Sequence, residues 1–195
     1  MAIPLGPCQI RPRLKGRFGF PLYLYASRCV STQDLLPENA PEGALAVAEE
    51  QLGGRGRRGR SWEGARDASL LFSLCLRPEV ATARLASFTP VAAEAVVEAI
   101  ASVTGVEASV KPPNDVLLSG RKVAGLLAEA SSGRVALGIG INVGQRNEDL
   151  PERPVYPATS LAIELGRPPN RVELLVEVLE RLEQLYDRWL DEVGV

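Results

Sequence analysis

Residues 111–130 read Lys111-Pro112-Pro113-Asn114-Asp115-Val116-Leu117-Leu118-Ser119-Gly120-Arg121-Lys122-Val123-Ala124-Gly125-Leu126-Leu127-Ala128-Glu129-Ala130. Two prolines stiffen the backbone ahead of Asn114 and Asp115 and present them from a rigid turn. Val116 to Leu118 and Lys122 to Ala130 are apolar runs of strand length. Ser119-Gly120-Arg121 lies between them with the chemistry of a hairpin turn. An antiparallel hairpin is expected, and within it Asp115 and Lys122 lie close across paired strands. A Pro-Asn-Asp turn alone needs no function, so the pairing with Lys122 carries the interest.

Outward from this hairpin the chain keeps the same character. Leu22 to Ala26, Ala44 to Glu49, Ser69 to Leu76, Val106 to Val110 and Arg134 to Val143 read as strands. Ser31 reads as an N-cap with Asp34 three residues on, and Pro37 to Gly43 as loop. Pro90 to Val103 reads as a helix that ends near Gly105. At the C-terminus, Asn170 and Glu173 form an N-cap and N3 pair. Val172, Leu175, Leu179, Leu182, Tyr186, Trp189 and Val193 then recur at steps of three and four. Strands outnumber helices and several are joined by short turns. The expected fold is α+β, a mixed and mostly antiparallel sheet with helices packed on it. One domain is expected over residues 1–195, with 1–20 as an N-terminal extension and 170–193 as the C-terminal helix.

Composition excludes several chemistries. The 195 residues carry a net charge of −2 and contain no histidine. Ser-His-Asp hydrolysis, Cys-His catalysis and His-ligated zinc are therefore out. Cys8, Cys29 and Cys75 are odd in number and lack metal-site spacing, which suits reduced thiols in the cytoplasm. Met1 to Arg17 lacks the apolar core of a signal peptide. No run approaches 18 apolar residues, so no membrane span is expected. Any catalysis must run on Lys, Arg, Asp, Glu, backbone N–H groups and a metal such as Mg²⁺.

Against that background, Gly54-Arg55-Gly56-Arg57-Arg58-Gly59-Arg60-Ser61-Trp62 is a local concentration of positive charge. Arginine stays protonated and offers a planar fork of donors to phosphate or carboxylate. Glycine lets backbone approach a ligand closely. The segment suits a polyanion. A solvated basic loop or an Arg-Gly nucleic-acid tether is the plain alternative. Position between strand-like segments, and the scatter of basic residues elsewhere, argue for a scaffolded site instead. Gly138-Ile139-Gly140-Ile141-Asn142-Val143 is an apolar strand with small residues, and Asn142 at its end could reach a ligand. The Gly-x-Gly within it is weak evidence for a nucleotide site, and close packing against the strand explains it equally well.

In order, Ser31-Thr32-Gln33, Gln51 with the Gly/Arg stretch, Lys111-Pro112-Pro113-Asn114-Asp115, Arg121-Lys122-Val123-Ala124-Gly125, Gly138-Ile139-Gly140-Ile141-Asn142 and Ala158-Thr159-Ser160-Leu161 resemble the biotin protein ligases. The resemblance runs from about Leu22 to the last helix. It implies the catalytic-domain fold shared with class II aminoacyl-tRNA synthetases. It also implies ATP-dependent ligation of biotin to a lysine of a biotin carboxyl carrier protein, through biotinyl-5′-AMP and with Mg²⁺. Lipoate-type ligases share the fold and are the second choice. A non-catalytic nucleic-acid binder is the alternative from another class.

The resemblance also assigns roles. Lys122, Arg57, Asp115 and Lys111 would be catalytic. Ser31, Thr32, Gln33, Gln51, Arg55, Gly56, Arg57, Lys122 and Gly125 would bind biotin. Arg57, Arg58, Arg60, Trp62, Lys111, Asn114, Asp115 and Asn142 would bind ATP, and Asp115 would hold the metal. It implies a cytoplasmic enzyme without DNA or membrane partners and with the option of a homodimer. The family usually has Trp where Pro112 stands and Asn where Gln33 stands. Neither the winged helix nor the C-terminal β-barrel of longer members is expected on this resemblance.

Overall fold

The structure is a computed structural model that describes residues 3–62, 66–131, 133–151 and 156–194. Seven strands form the main sheet: β1 (Tyr23–Ala26), β2 (Leu45–Ala48), β5 (Ser69–Leu76), β6 (Ser109–Lys111), β7 (Asp115–Leu118), β8 (Arg121–Ser131) and β9 (Arg134–Asn142). Their spatial order is β1-β2-β5-β9-β8-β7-β6. Only β1 and β2 pair in parallel; the other neighbours are antiparallel. This is the mixed, mostly antiparallel sheet expected from the turns. Strands β3 (Gly54–Arg55) and β4 (Ser61–Trp62) make a separate hairpin.

The two faces of the sheet differ in chemistry. Leu70, Phe72, Leu74 and Leu76 of β5 enter the main core, together with Val116, Ala124, Leu137, Ile139 and Ile141. Helices α3 (Thr82–Thr104) and α5 (Arg171–Val193) cover that face. The apolar positions read from the sequence as one stripe of α5, Val172 through Trp189, are buried there. Asn170 caps α5 by accepting from the N–H groups of Val172 and Glu173. On the opposite face a smaller cluster, Leu36, Ala40, Ala44, Ala46, Cys75 and Ala136, lies beside α2 (Thr32–Leu35). Gly125, Gly138 and Gly140 lie on the same face and line a cleft.

Three expectations are adjusted. Helix α3 begins at Thr82 rather than Pro90, so Pro90 lies inside it. The missing Pro90 N–H leaves the Ala86 carbonyl without its helical donor, and Ala86 is exposed, so water can satisfy it. The strand expected over 106–110 is shorter and shifted, covering Ser109–Lys111. Residues 3–18 are not a peripheral tail. Helix α1 (Pro7–Ile10) and its flanks bury Leu5, Ile10, Leu14 and Phe18 in the main core. A further short helix, α4 (Leu161–Leu165), begins at Ser160, whose hydroxyl accepts from Ile163 N.

Residues Arg84–Thr104 of α3 are long and apolar enough to cross a membrane by length and composition. In this fold the helix packs against α5 and the sheet, and Ala92, Ala95, Val96, Ala99 and Ile100 are fully buried.

Candidate active site

A β-bulge creates the central feature of the cleft. Asp115 pairs with Gly125 and Val116 with Ala124, but Leu117 pairs with Lys122. Val123 is thus an extra residue in β8. In an uninterrupted strand Lys122 would share the core face with Ala124. The bulge turns it to the face of Asp115 and Gly125. The result is an ion pair, Lys122 Nζ to Asp115 Oδ1 at 2.5 Å, with both side chains largely buried. The backbone of Lys122 is fixed as well: its N–H donates to Pro157 O, and its carbonyl accepts from Thr159 N. Thr159 Oγ1 and Arg121 in turn bond Glu164.

The floor is made of glycines on β8 and β9. Gly125 and Gly140 are directly paired. A Cβ on Gly125 would lie 2.8 Å from the Trp62 ring and 3.2 Å from Lys122 Nζ. A Cβ on Gly140 would overlap the Trp62 indole, and one on Gly138 would stand 3.1 Å from Gln33 Cδ. The Gly-x-Gly therefore makes room for two side chains of the cleft. Trp62 rests on this floor with the Lys122 ammonium 5.4 Å from its ring centre. Its buried Nε1 has no acceptor among the described residues.

Helix α2 supplies one wall. Ser31 Oγ caps it by accepting from Gln33 N. Gln51 Oε1 accepts from both Thr32 N and Thr32 Oγ1, at 2.7 and 2.9 Å, and Thr32 Oγ1 also meets Ser73 Oγ. Gln33 Nε2 donates to the carbonyls of Ala136 and Leu127. These bonds hold four polar side chains in defined orientations beside the floor.

The Gly/Arg stretch is the opposite wall. Gly54 pairs with Trp62 and Arg55 with Ser61, and the turn between them contains Arg58 and Gly59 at positive φ. Gly54 is required there, because a Cβ would come 2.6 Å from Trp62 O. Arg57 reaches Asn114 Oδ1 at 3.3 Å, and Asn114 Nδ2 donates to Leu126 O. Arg55 is bound on two sides: Nη1 and Nη2 donate to Asp34, and Nε and Nη2 to Glu129. Hydrogen bonds to Asp34 and then Glu129 hold its guanidinium even more firmly protonated than usual.

Thirteen of the sixteen residues proposed from the sequence line this one cleft: Ser31, Thr32, Gln33, Gln51, Arg55, Gly56, Arg57, Arg60, Trp62, Asn114, Asp115, Lys122 and Gly125. Three do not. Arg58 is exposed at the hairpin tip. Lys111 is exposed, with its ammonium 5.8 Å from the centre of the Tyr156 ring. Asn142 is buried at the end of β9, donating to Thr159 O and accepting from Gln145 Nε2. Sequence reasoning gave Asp34, Glu129 and Ser73 no part in the site, whereas Gly138 and Gly140 were singled out as the Gly-x-Gly. Strand alternation from Gly125 through Leu127 to Glu129 places Glu129 on the cleft face and was the available signal.

Comparison with known proteins shows the family of the chain. The model of the biotin/lipoate A/B protein ligase family matches residues 25–145, which carry nearly all of the cleft. The chain belongs to this family. Over 191 residues it is 35% identical to the bifunctional ligase/repressor BirA of Bacillus subtilis, covering 93% of this chain and 59% of that protein. The biotin–[acetyl-CoA-carboxylase] ligase of Mycobacterium tuberculosis is 35% identical over 153 residues, covering 76% of this chain and 56% of that one. Among solved structures, the biotin protein ligase of Aquifex aeolicus in complex with biotin and ATP superposes with a TM-score of 0.79 at 35% identity. That match covers 89% of this chain and 73% of the Aquifex chain. The chain thus spans about three-fifths of the length of the curated relatives it matches.

Proposed function

We propose that this chain joins biotin to ATP as biotinyl-5′-AMP and passes the biotinyl group to a lysine of a biotin carboxyl carrier protein. The observation that carries the reading is the buried Lys122–Asp115 pair beside a glycine floor, in a cleft also lined by Arg57 and Arg60. Among the described side chains lining the cleft, four are cationic and one, Asp115, is anionic. Such a site lowers the cost of bringing a carboxylate against a triphosphate. Two unit charges 4 Å apart repel by about 4 kcal/mol at an effective dielectric near 20. Each charge-assisted hydrogen bond returns roughly 1.5–3 kcal/mol.

In the first step a biotin carboxylate oxygen bonds to the α-phosphorus and the bond to the β-phosphate oxygen breaks, releasing pyrophosphate. In the second a neutral lysine amine bonds to the acyl carbon, the bond to the phosphate oxygen breaks, and AMP leaves as the amine loses its proton. Neither step needs a protein nucleophile or a histidine. Lys122 would bind the biotin carboxylate and the α-phosphate, while Arg57 and Arg60 face the remaining phosphate charge. Thr32, Gln33 and Gln51 would orient the ureido head. The orphan Trp62 N–H is a donor that a ligand oxygen could accept from.

The donor set suits a magnesium ion carried in by the nucleotide. Among the described residues no group of three or more acidic or cysteine ligands occurs, and Asp115 is the one carboxylate that lines the cleft. Mg²⁺ typically takes one or two carboxylates with phosphate oxygens completing its shell. Bound there, it would neutralise developing phosphate charge.

The same reading treats the chain as one catalytic domain acting in the cytoplasm, with no DNA or membrane partner. Arg55, Arg57 and Arg60 line the cleft rather than an open basic face. β1 and β6 are the outermost strands of the sheet, where a homodimer could add a strand. The test is incubation of purified protein with biotin, Mg-ATP and a carrier domain, followed by mass analysis. A mass gain on the carrier is expected. Failure to find either biotinyl-adenylate or modified carrier would overturn the reading, and modification only with lipoate would move the chain to the other branch of the family.

A further inference from the structure

Arg55 lines the cleft, yet its donors are already engaged. It binds Asp34 and Glu129, each through two N–H···O bonds of 2.8–3.1 Å. The three partners sit on three different elements: Arg55 on the hairpin, Asp34 on α2, and Glu129 on β8. α2 also carries Thr32 and Gln33, and β8 carries Lys122 and Gly125. The ionic knot therefore ties the arginine hairpin to the α2 wall and to β8 of the floor, the two elements that hold these polar residues of the cleft. Two negative charges against one positive leave the knot with a net charge of −1, so Arg55 has little attraction to spare for a phosphate.

We propose that Asp34 and Glu129 are positioning residues that act through Arg55 to latch the Gly/Arg hairpin across the cleft. On the proposed ligase reading, the latch retains the acyl-adenylate between the two steps, while Arg57, Arg60 and Lys122 meet the phosphate. Isolated surface ion pairs contribute little, but bidentate arginine pairs joined in a network restrict geometry effectively. Side-chain exposures of 37%, 49% and 43% for Arg55, Asp34 and Glu129 make the substitutions compatible with folding.

The test compares the unsubstituted chain with Asp34→Asn, Glu129→Gln, their combination and Arg55→Lys, which keeps the charge but loses the fork. The first readout needs no ligand. Trypsin cleavage after Arg57, Arg58 and Arg60, located by mass, should accelerate roughly 3- to 10-fold in the double variant and in Arg55→Lys. The thermal midpoint should hold. The second readout is the adenylate. In the Asp34→Asn/Glu129→Gln double variant its single-turnover formation should stay within roughly twofold, and its escape from the protein should quicken roughly tenfold. Unchanged hairpin cleavage, or faster cleavage at all sites together with a lowered midpoint, would overturn the latch. If the unsubstituted chain forms no adenylate, the ligase reading falls and takes adenylate retention with it. The ligand-free cleavage comparison still decides the latch.

Discussion

Lys122 and Asp115 meet at 2.5 Å because a bulge at Val123 turns the lysine out of the core face. Removing the ammonium takes away the cation paired with Asp115 and, on the proposed reading, the one that would meet the acyl phosphate. Lys122→Met should lower the rate of adenylate formation about 10²–10³-fold, the loss typical of deleting one preorganised charge contact. Lys122→Arg should recover only part of it, since a planar fork does not fit a point-charge position. Single-turnover assays of biotinyl-adenylate, with circular dichroism as a folding control, check this.

Part of this site was legible in the sequence. The hairpin signal at Ser119-Gly120-Arg121 brought Asp115 and Lys122 together correctly, because antiparallel pairing across a short turn leaves few registers. The bulge was not legible: nothing in Lys122-Val123-Ala124 distinguishes a bulged strand from a regular one. The α5 stripe was readable because its period is sustained from Val172 to Trp189. Helix α3 was misjudged at Pro90, where a local breaker yields to tertiary burial of the flanking apolar face. The partners of Arg55 were hidden for a different reason. Asp34 and Glu129 lie 21 and 74 residues away, and no local pattern encodes such a contact.

The glycine floor yields a steric prediction. A methyl group at Gly140 would overlap the Trp62 indole and force it off the floor. Gly140→Ala should weaken biotin binding roughly 10- to 100-fold, in line with a misplacement of about 1 Å at a site that depends on orientation. Gly6→Ala, where a Cβ meets nothing within 4 Å, is the matched control. Calorimetric titration with biotin measures the affinities. A Gly140→Ala protein that binds as tightly as the parent would remove the floor from the account.

Tyr23 gives stability an alkaline limit. Its phenol donates to Leu5 O at 2.6 Å, and burial, with Glu49 nearby, pushes its ionisation far above the ordinary range. The neutral form is the one the fold accepts. The stabilisation is therefore complete below the unfolded pKa of about 10 and is lost as pH rises beyond it. Tyr23→Phe should cost about 1 kcal/mol at neutral pH through the lost hydrogen bond. It should also flatten the fall in unfolding free energy above about pH 10, measured by urea titration at successive pH values.

Glu49 and Arg171 make the strongest case for a structural ion pair. They meet at 2.8 Å with only 4% and 7% of their side chains exposed. Glu49 Oε1 also accepts from Leu5 N and Tyr25 OH, while Arg171 donates to Ser69 O and Ile3 O. The pair thus joins the N-terminal segment, the end of β2 and the start of α5. Glu49→Ala would strand the guanidinium in the interior, a situation that costs about 3–5 kcal/mol. For a chain of this size that corresponds to a fall in thermal midpoint of roughly 6–20 °C. Replacing both partners, Glu49→Leu with Arg171→Met, should recover most of the loss, because no buried charge is left unmatched. Thermal unfolding of the two variants separates the contributions. If the double variant is as unstable as Glu49→Ala, the bonds to Leu5, Tyr25 and Ile3 outweigh the charge pairing itself.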